Sequence, residues 1–190
     1  PSKSKTRLIP QWGEHNAAEL GRLFLQATLR RVEELFQERW LAFTPAEKRS
    51  AFERIAQDRW KLLLQVSGDL GKRLEQAIGD VQRQGMSRVL VIGSDSPDLP
   101  LEYLRQAADE LNRFDAVLGP ANDGGYYLLG FRVPVCSLQG IEWGTDQVLY
   151  QTERLLRQHN LTHTQLPIWR DVDLPEDVEA LCERLATSKN

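Results

Sequence analysis

Cysteine is scarce in this 190-residue chain: Cys136 and Cys182 are the only two, they have no metal-ligand spacing, and they are too few for a disulfide framework. That usage points to a reducing, cytoplasmic setting. Long apolar runs are missing as well. Although 41% of the residues are hydrophobic, no uninterrupted stretch approaches the roughly 18 residues needed to span a bilayer, and the first residues carry no signal-peptide core. A soluble protein with no membrane partner is expected. There is no marked excess of either charge: 24 Lys and Arg stand against 27 Asp and Glu, a net charge of −3. No global field draws such a chain to nucleic acid, so any phosphate site has to be local. Repeats, low-complexity tracts and linkers are absent too, and the length suits one domain over 1–190.

What is present is an alternation of strand and helix patterns. Ala17, Leu20, Phe24 and Ala27 lie at helical spacing and predict a long amphipathic helix from Glu14 to about Gln37. Short strands are expected at Trp40 to Phe43 and Lys61 to Gln65, with an exposed helix between them and another from Asp69 to about Gln84. Arg88 to Gly93 is apolar on both faces, as in a central strand covered by helices on both sides. Helix over Pro100 to Asn112, strand over Asp115 to Gly119, strand over Tyr126 to Phe131, helix over Thr145 to His159, an extended Thr162 to Ile168 and a closing helix from Pro175 complete the series. The order predicts an α/β fold, a mostly parallel open sheet with helices on both faces. In such sheets ligands bind beyond the carboxyl ends of the strands.

The chemistry-bearing segments follow strands. Gly93-Ser94-Asp95-Ser96-Pro97-Asp98 puts carboxylates where a hard cation could clamp phosphate oxygens, although Asp98 or Ser96 can equally cap the next helix. In Asn122-Asp123-Gly124-Gly125-Tyr126, paired glycines let backbone approach a ligand, and they are equally hairpin chemistry; Tyr126 and Tyr127 fit either core or cleft. Asp171 and Asp173 precede Pro175 on a loop and suit metal contact, whereas Glu176 and Asp177 suit the start of a helix. Lys3, Lys5 and Arg7 alternate as if to wrap a polyphosphate, or form a solvated basic terminus. The Gln65 amide and the backbone around Gly68 could read a base edge, while Asp69 could be a helix cap.

Taken in order, Pro1 to Leu8, Gln65 to Arg73, Gly93 to Leu99, Gly119 to Gly130, Trp143 to Thr145 and Asp171 to Asp177 resemble the DUF2064 family. That family is glycosyltransferase-A-like and includes proteins assigned to arsenosugar biosynthesis. Ser2 stands where its members commonly carry Gly, and the hydrophobic strand that precedes the basic loop in relatives is expected to be lacking here. The resemblance implies a nucleotide-diphospho-sugar transferase fold. It further implies phosphate binding by Lys5 and Arg7, with Thr6, Asp69 and Ser94 joining the nucleotide site, and base contact by Gln65 and Gly68. A Mg²⁺ or Mn²⁺ ion would sit on Asp95 and Asp173, with Asp123 completing the acidic pocket. Gly124, Gly125, Tyr126, Trp143 and Thr145 would shape the acceptor side, although a buried Trp is as readily core.

Three functions compete. Glycosyl transfer from a nucleotide sugar to a small acceptor has Asp123 in acceptor binding or as general base, and Lys5 and Arg7 on the leaving phosphates. Nucleotidyl transfer to a phosphate or carboxylate gives those two cations the larger role. A non-catalytic nucleotide-binding protein is the third. Fold analogy alone does not choose among them.

Overall fold

Side chains of the strand Val89–Ile92 point alternately into two apolar cores, and those cores define the layers of the molecule. The computed structural model describes residues 5–187. In chain order the elements are α1 (Ile9–Glu33), β1 (Trp40–Phe43), α2 (Arg49–Ala56), β2 (Lys61–Leu64), α3 (Leu70–Arg83) and β3 (Val89–Ile92). Then come α4 (Leu101–Glu110), β4 (Ala116–Pro120), β5 (Tyr126–Phe131), α5 (Val148–Gln158), β6 (His163–Gln165) and α6 (Pro175–Thr187). None of the described helices is long and apolar enough to cross a membrane.

Because strand side chains alternate with period two, Val89 and Val91 enter a core with Leu118, Leu129 and Phe131, covered by Ile78 and Val81 of α3 and Leu156 of α5. Leu90 and Ile92 enter the other with Val117 and Leu128, covered by Leu104 and Ala107 of α4 and by Val32 of α1. Helices on both faces are thus the observed arrangement. A third cluster joins Leu8, Ala17 and Phe24 to Val172, Val178 and Leu181, so the start of the chain packs on α6. A short turn from Ile9 precedes Gly13, whose φ of 76° interrupts the helical conformation, and the regular run of α1 continues from Glu14, the expected start of the helix.

The strand order is β3-β5-β4-β6, with β5 antiparallel to β3 and β4, and β6 parallel to β4. β3, β4 and β6 therefore run the same way and end at one edge, as the open-sheet reading requires. β1 and β2 form a separate parallel pair. Trp40 and Leu63 pack on the α3/α5 core, which brings this pair beside the larger sheet without hydrogen bonds between them. β3, expected as a central strand, is among the described strands paired only to β5.

Candidate functional site

Three loops meet at the carboxyl ends of β3, β4 and β6. Main-chain bonds tie them together: Trp169 N donates to Pro120 O at 3.0 Å, and Val172 N donates to Asp95 O at 2.8 Å. Arg31 on α1 holds the first loop by donating to Pro97 O at 2.8 Å and Leu99 O at 3.0 Å. Nothing in the local sequence signals that role, since the partners are more than sixty positions away.

On this platform four aspartates and two cations come together. Lys5, in left-handed conformation with φ 55°, turns its ammonium inward. Its Nζ lies 2.5 Å from Asp95 Oδ1 and 2.9 Å from Asp173 Oδ1, and donates to Val172 O at 2.6 Å. The Lys5 side chain is only 3% exposed and also stands over the Phe24 ring. Arg7 approaches the other Asp173 oxygen at 3.6 Å from the solvent side. Ser96 donates its hydroxyl to Asp171 at 2.5 Å. Burial pushes the Asp171 carboxyl up to about 6; the Ser96 hydrogen bond opposes the shift, and the negative charges of Asp123, Asp95 and Asp173 add to it.

Asp98 belongs to a different construction. It neither caps α4, whose N-cap is Pro100, nor joins the acidic group. Its side chain, 8% exposed, accepts from Arg184 Nε at 2.7 Å and so ties the loop to α6. Ser96 likewise does not cap α4, because its hydroxyl is turned to Asp171. Asp177 accepts from Asp173 N and Leu174 N, the helix-start role expected for it.

Asn-Asp-Gly-Gly forms the β4–β5 hairpin turn. Asp123 Oδ1 accepts from Gly125 N at 2.9 Å, which leaves the carboxylate exposed at the rim. Gly124 has φ +84°, and a Cβ there would lie 2.2 Å from Asp146 O, so the glycine admits the backbone of the segment entering α5. Tyr126 packs edge-on to Trp143, and burial raises its phenol pKa. Trp143 in turn fills the space left by Gly71, where a Cβ would sit 3.0 Å from the indole. The Thr145 hydroxyl donates to Glu142 O at 2.7 Å, within the same turn.

Gln65, Gly68 and Asp69 follow β2. They make no hydrogen bond or ion pair with the aspartate group among the described residues. The Asp69 carboxylate caps α3 by accepting from Lys72 N at 2.8 Å. Ser94 lies half-buried between β3 and Asp95, and Thr6 opens a 3-10 turn beside Lys5. Lys3 lies outside the described residues.

The donor set of Asp95 and Asp173 suits a hard divalent cation. Two carboxylates already share one positive charge, the Lys5 ammonium, and an ion such as Mg²⁺ is commonly held by one or two carboxylates, with water and substrate phosphates filling the remaining positions. Among the described residues no three ligating side chains form a ready-made cage.

Comparison with known proteins agrees with the motif order. Residues 28–145 match the family described as "Uncharacterized protein conserved in bacteria (DUF2064)". The chain belongs to DUF2064. A crystal structure of a "putative nucleotide-diphospho-sugar transferase" from Desulfovibrio desulfuricans G20 is 36% identical to this DUF2064 protein, with a TM-score of 0.89 over 95% of this chain and 80% of that one. The crystal structure of Rv0371c from Mycobacterium tuberculosis H37Rv, 18% identical, has a TM-score of 0.54 over 84% of this chain and 83% of that one, and shares the fold alone. No curated protein matches the chain.

Proposed function

We propose that this DUF2064 protein transfers a glycosyl group from a nucleotide-diphospho-sugar to a small acceptor in a divalent-metal-dependent reaction. The observation that carries the reading is the convergence of Asp95, Asp123, Asp171 and Asp173 with Lys5 and Arg7 at the carboxyl ends of the strands. The likeness to the Desulfovibrio protein supports it.

In this reading Asp95 and Asp173 hold Mg²⁺ or Mn²⁺, which supplies charge neutralisation to a departing nucleoside diphosphate. Asp123, exposed and oriented by Gly125 N, accepts the proton of the attacking hydroxyl. The new bond joins acceptor oxygen to the anomeric carbon as the bond from that carbon to the phosphate oxygen breaks, and the electron pair leaves with the diphosphate. Arg7, two-thirds exposed, steadies that diphosphate from the solvent side. Nucleotidyl transfer asks Lys5 to meet a triphosphate, which fits less well with an ammonium enclosed by two carboxylates and a carbonyl.

A thermal-shift panel of nucleotides and nucleotide sugars, with and without Mg²⁺ or Mn²⁺, tests the reading. Metal-enhanced stabilisation by nucleotide sugars and nucleoside diphosphates, followed by release of the free diphosphate on turnover, is expected. Stabilisation confined to triphosphates, with pyrophosphate release, would select nucleotidyl transfer instead. Binding without turnover of either kind would leave the non-catalytic alternative.

A further inference from the structure

The cations nearest the aspartate group are already committed: Lys5 to Asp95 and Asp173, and Arg7 to Asp173. A nucleoside diphosphate brings at least two negative charges, so a site that takes one benefits from a cation with no carboxylate of its own. Arg73 meets that description. Its side chain makes no hydrogen bond or ion pair among the described residues, and its Nε is buried without a partner. The residue is half-buried, which leaves its outer nitrogens at the surface. A buried guanidinium nitrogen with nothing to bond is uncommon in a folded protein and calls for an explanation.

Its position supplies one. Gly71, two residues earlier, lies against Trp143, and Trp143 lies against Tyr126, the first residue of β5. Since β5 is antiparallel to β3, Tyr126 is at the carboxyl end of β3, the end that carries Asp95. The far half of α3 is consistent with this, because Ile78 and Val81 share one core with Val89, the residue at the other end of that strand. Arg73 is therefore in the first turn of a helix that starts at the ligand edge of the sheet. It does not face the loop after β5: Glu75, which accepts from Leu138 N, and Gln82, which donates to Val133 O, occupy that flank. Two residues of helix separate Arg73 from Glu75 by ~200°, so Arg73 projects from the opposite flank of α3.

We propose that Arg73 joins Arg7 in receiving the diphosphate of the nucleotide donor, as the one of the two with no carboxylate partner among the described residues. Five fixed donors on a planar guanidinium suit bidentate contact with phosphate oxygens, and Arg73 has no ion pair among the described residues to break on binding. The proposal rests on the nucleotide-donor reading above.

Its test is titration calorimetry with uridine, guanosine, cytidine and adenosine diphosphates in the presence of Mn²⁺, on the wild-type protein, Arg73→Gln and Arg73→Lys, each with a melting curve. The matching nucleosides serve as phosphate-free controls. Arg73→Gln is expected to weaken the best diphosphate at least tenfold and to leave nucleoside binding unchanged, with Arg73→Lys in between. Its melting temperature should hold or rise, since removing a buried donor that lacks a partner removes a desolvation cost. Wild-type protein that binds no diphosphate would overturn both the donor reading and this one. Tight wild-type binding that survives Arg73→Gln, or a fall in melting temperature that accounts for the loss, would overturn the assignment of Arg73 alone.

Discussion

The Lys5 ammonium lies 2.5 Å from Asp95 Oδ1 and is almost shut off from water, while the carboxylate it meets is half exposed. With Asp173 as a second partner at 2.9 Å, Lys5 holds the position between two carboxylates that a divalent ion would also favour. A metal held there, as proposed, would rival the ammonium for the same oxygens, and binding of one would loosen the other.

That rivalry is measurable. Lys5→Met keeps the buried stem and removes the charge. Mn²⁺ affinity, read by electron paramagnetic resonance, should rise at least tenfold. The metal-free protein should lose about 2 kcal/mol, less than breaking a fully buried pair costs because Asp95 is half in water. Millimolar Mn²⁺ should restore the lost stability. An Mn²⁺ affinity equal to wild type would mean that the two carboxylates do not share a cation site.

Asp95 and Asp98, three positions apart, should fail in different ways. Asp95→Asn keeps size while removing the charge a hard cation needs, and it should abolish Mg²⁺-enhanced nucleotide binding with a stability loss of about 1–2 kcal/mol, because the nearly buried Lys5 ammonium keeps only Asp173 as a carboxylate partner. Asp98→Asn leaves the Arg184 guanidinium facing a neutral group in a nearly buried pair. A stability loss of about 3 kcal/mol is expected from it, with metal-dependent binding retained in the fraction that stays folded. Denaturant unfolding and calorimetry on both variants would expose an exchange of these roles.

Strand and helix positions were legible because burial imposes a period on the residues themselves. Val89 to Ile92 is apolar throughout since each face meets a core, and Leu70 to Arg83 follows its Asp69 cap. The acidic loops were legible for a similar local reason: each follows a strand. Pairings between distant residues left no such trace. Arg31 and Arg184 look like ordinary surface arginines of amphipathic helices, yet one holds the Asp95 loop and the other neutralises Asp98 from 86 positions away. That Lys5 would face the aspartates, instead of lying open for a phosphate, depends on the left-handed turn at its own backbone.

The two glycines after Asp123 look interchangeable in sequence and should not prove so. At Gly124 an alanine Cβ would fall 2.2 Å from Asp146 O at a φ of +84°, so both backbone strain and collision oppose it. Gly124→Ala should destabilise by about 3 kcal/mol or more. At Gly125 the nearest atom is the Asp123 Oδ1 side-chain oxygen at 3.1 Å, which can move aside. Gly125→Ala should cost under about 1 kcal/mol while lowering turnover, because Asp123 is displaced. Thermal melts of both variants, beside a rate measurement on the second, separate the two effects.

The division between the β1–β2 pair and the larger sheet makes a residue-level prediction for hydrogen exchange. In an antiparallel ladder, alternate residues point their amides toward the partner. Gly93 N donates to Tyr127 O at 3.1 Å, so Val91 and Val89 also face β5, and the Leu90 and Ile92 amides face away. On β2, Lys61 N and Gln65 N donate to Arg39 O and Phe43 O, so Leu63 faces β1 while Leu62 and Leu64 face away. Those four outward amides have no strand to bond to among the described residues. They should exchange at least a hundredfold faster than the amides of Leu63, Val89 and Val91, since an exposed amide needs no local opening. Equal protection of Leu90 and Val91 would show that the open edge of β3 is covered, and that the sheet is continuous where β2 and β3 are drawn apart.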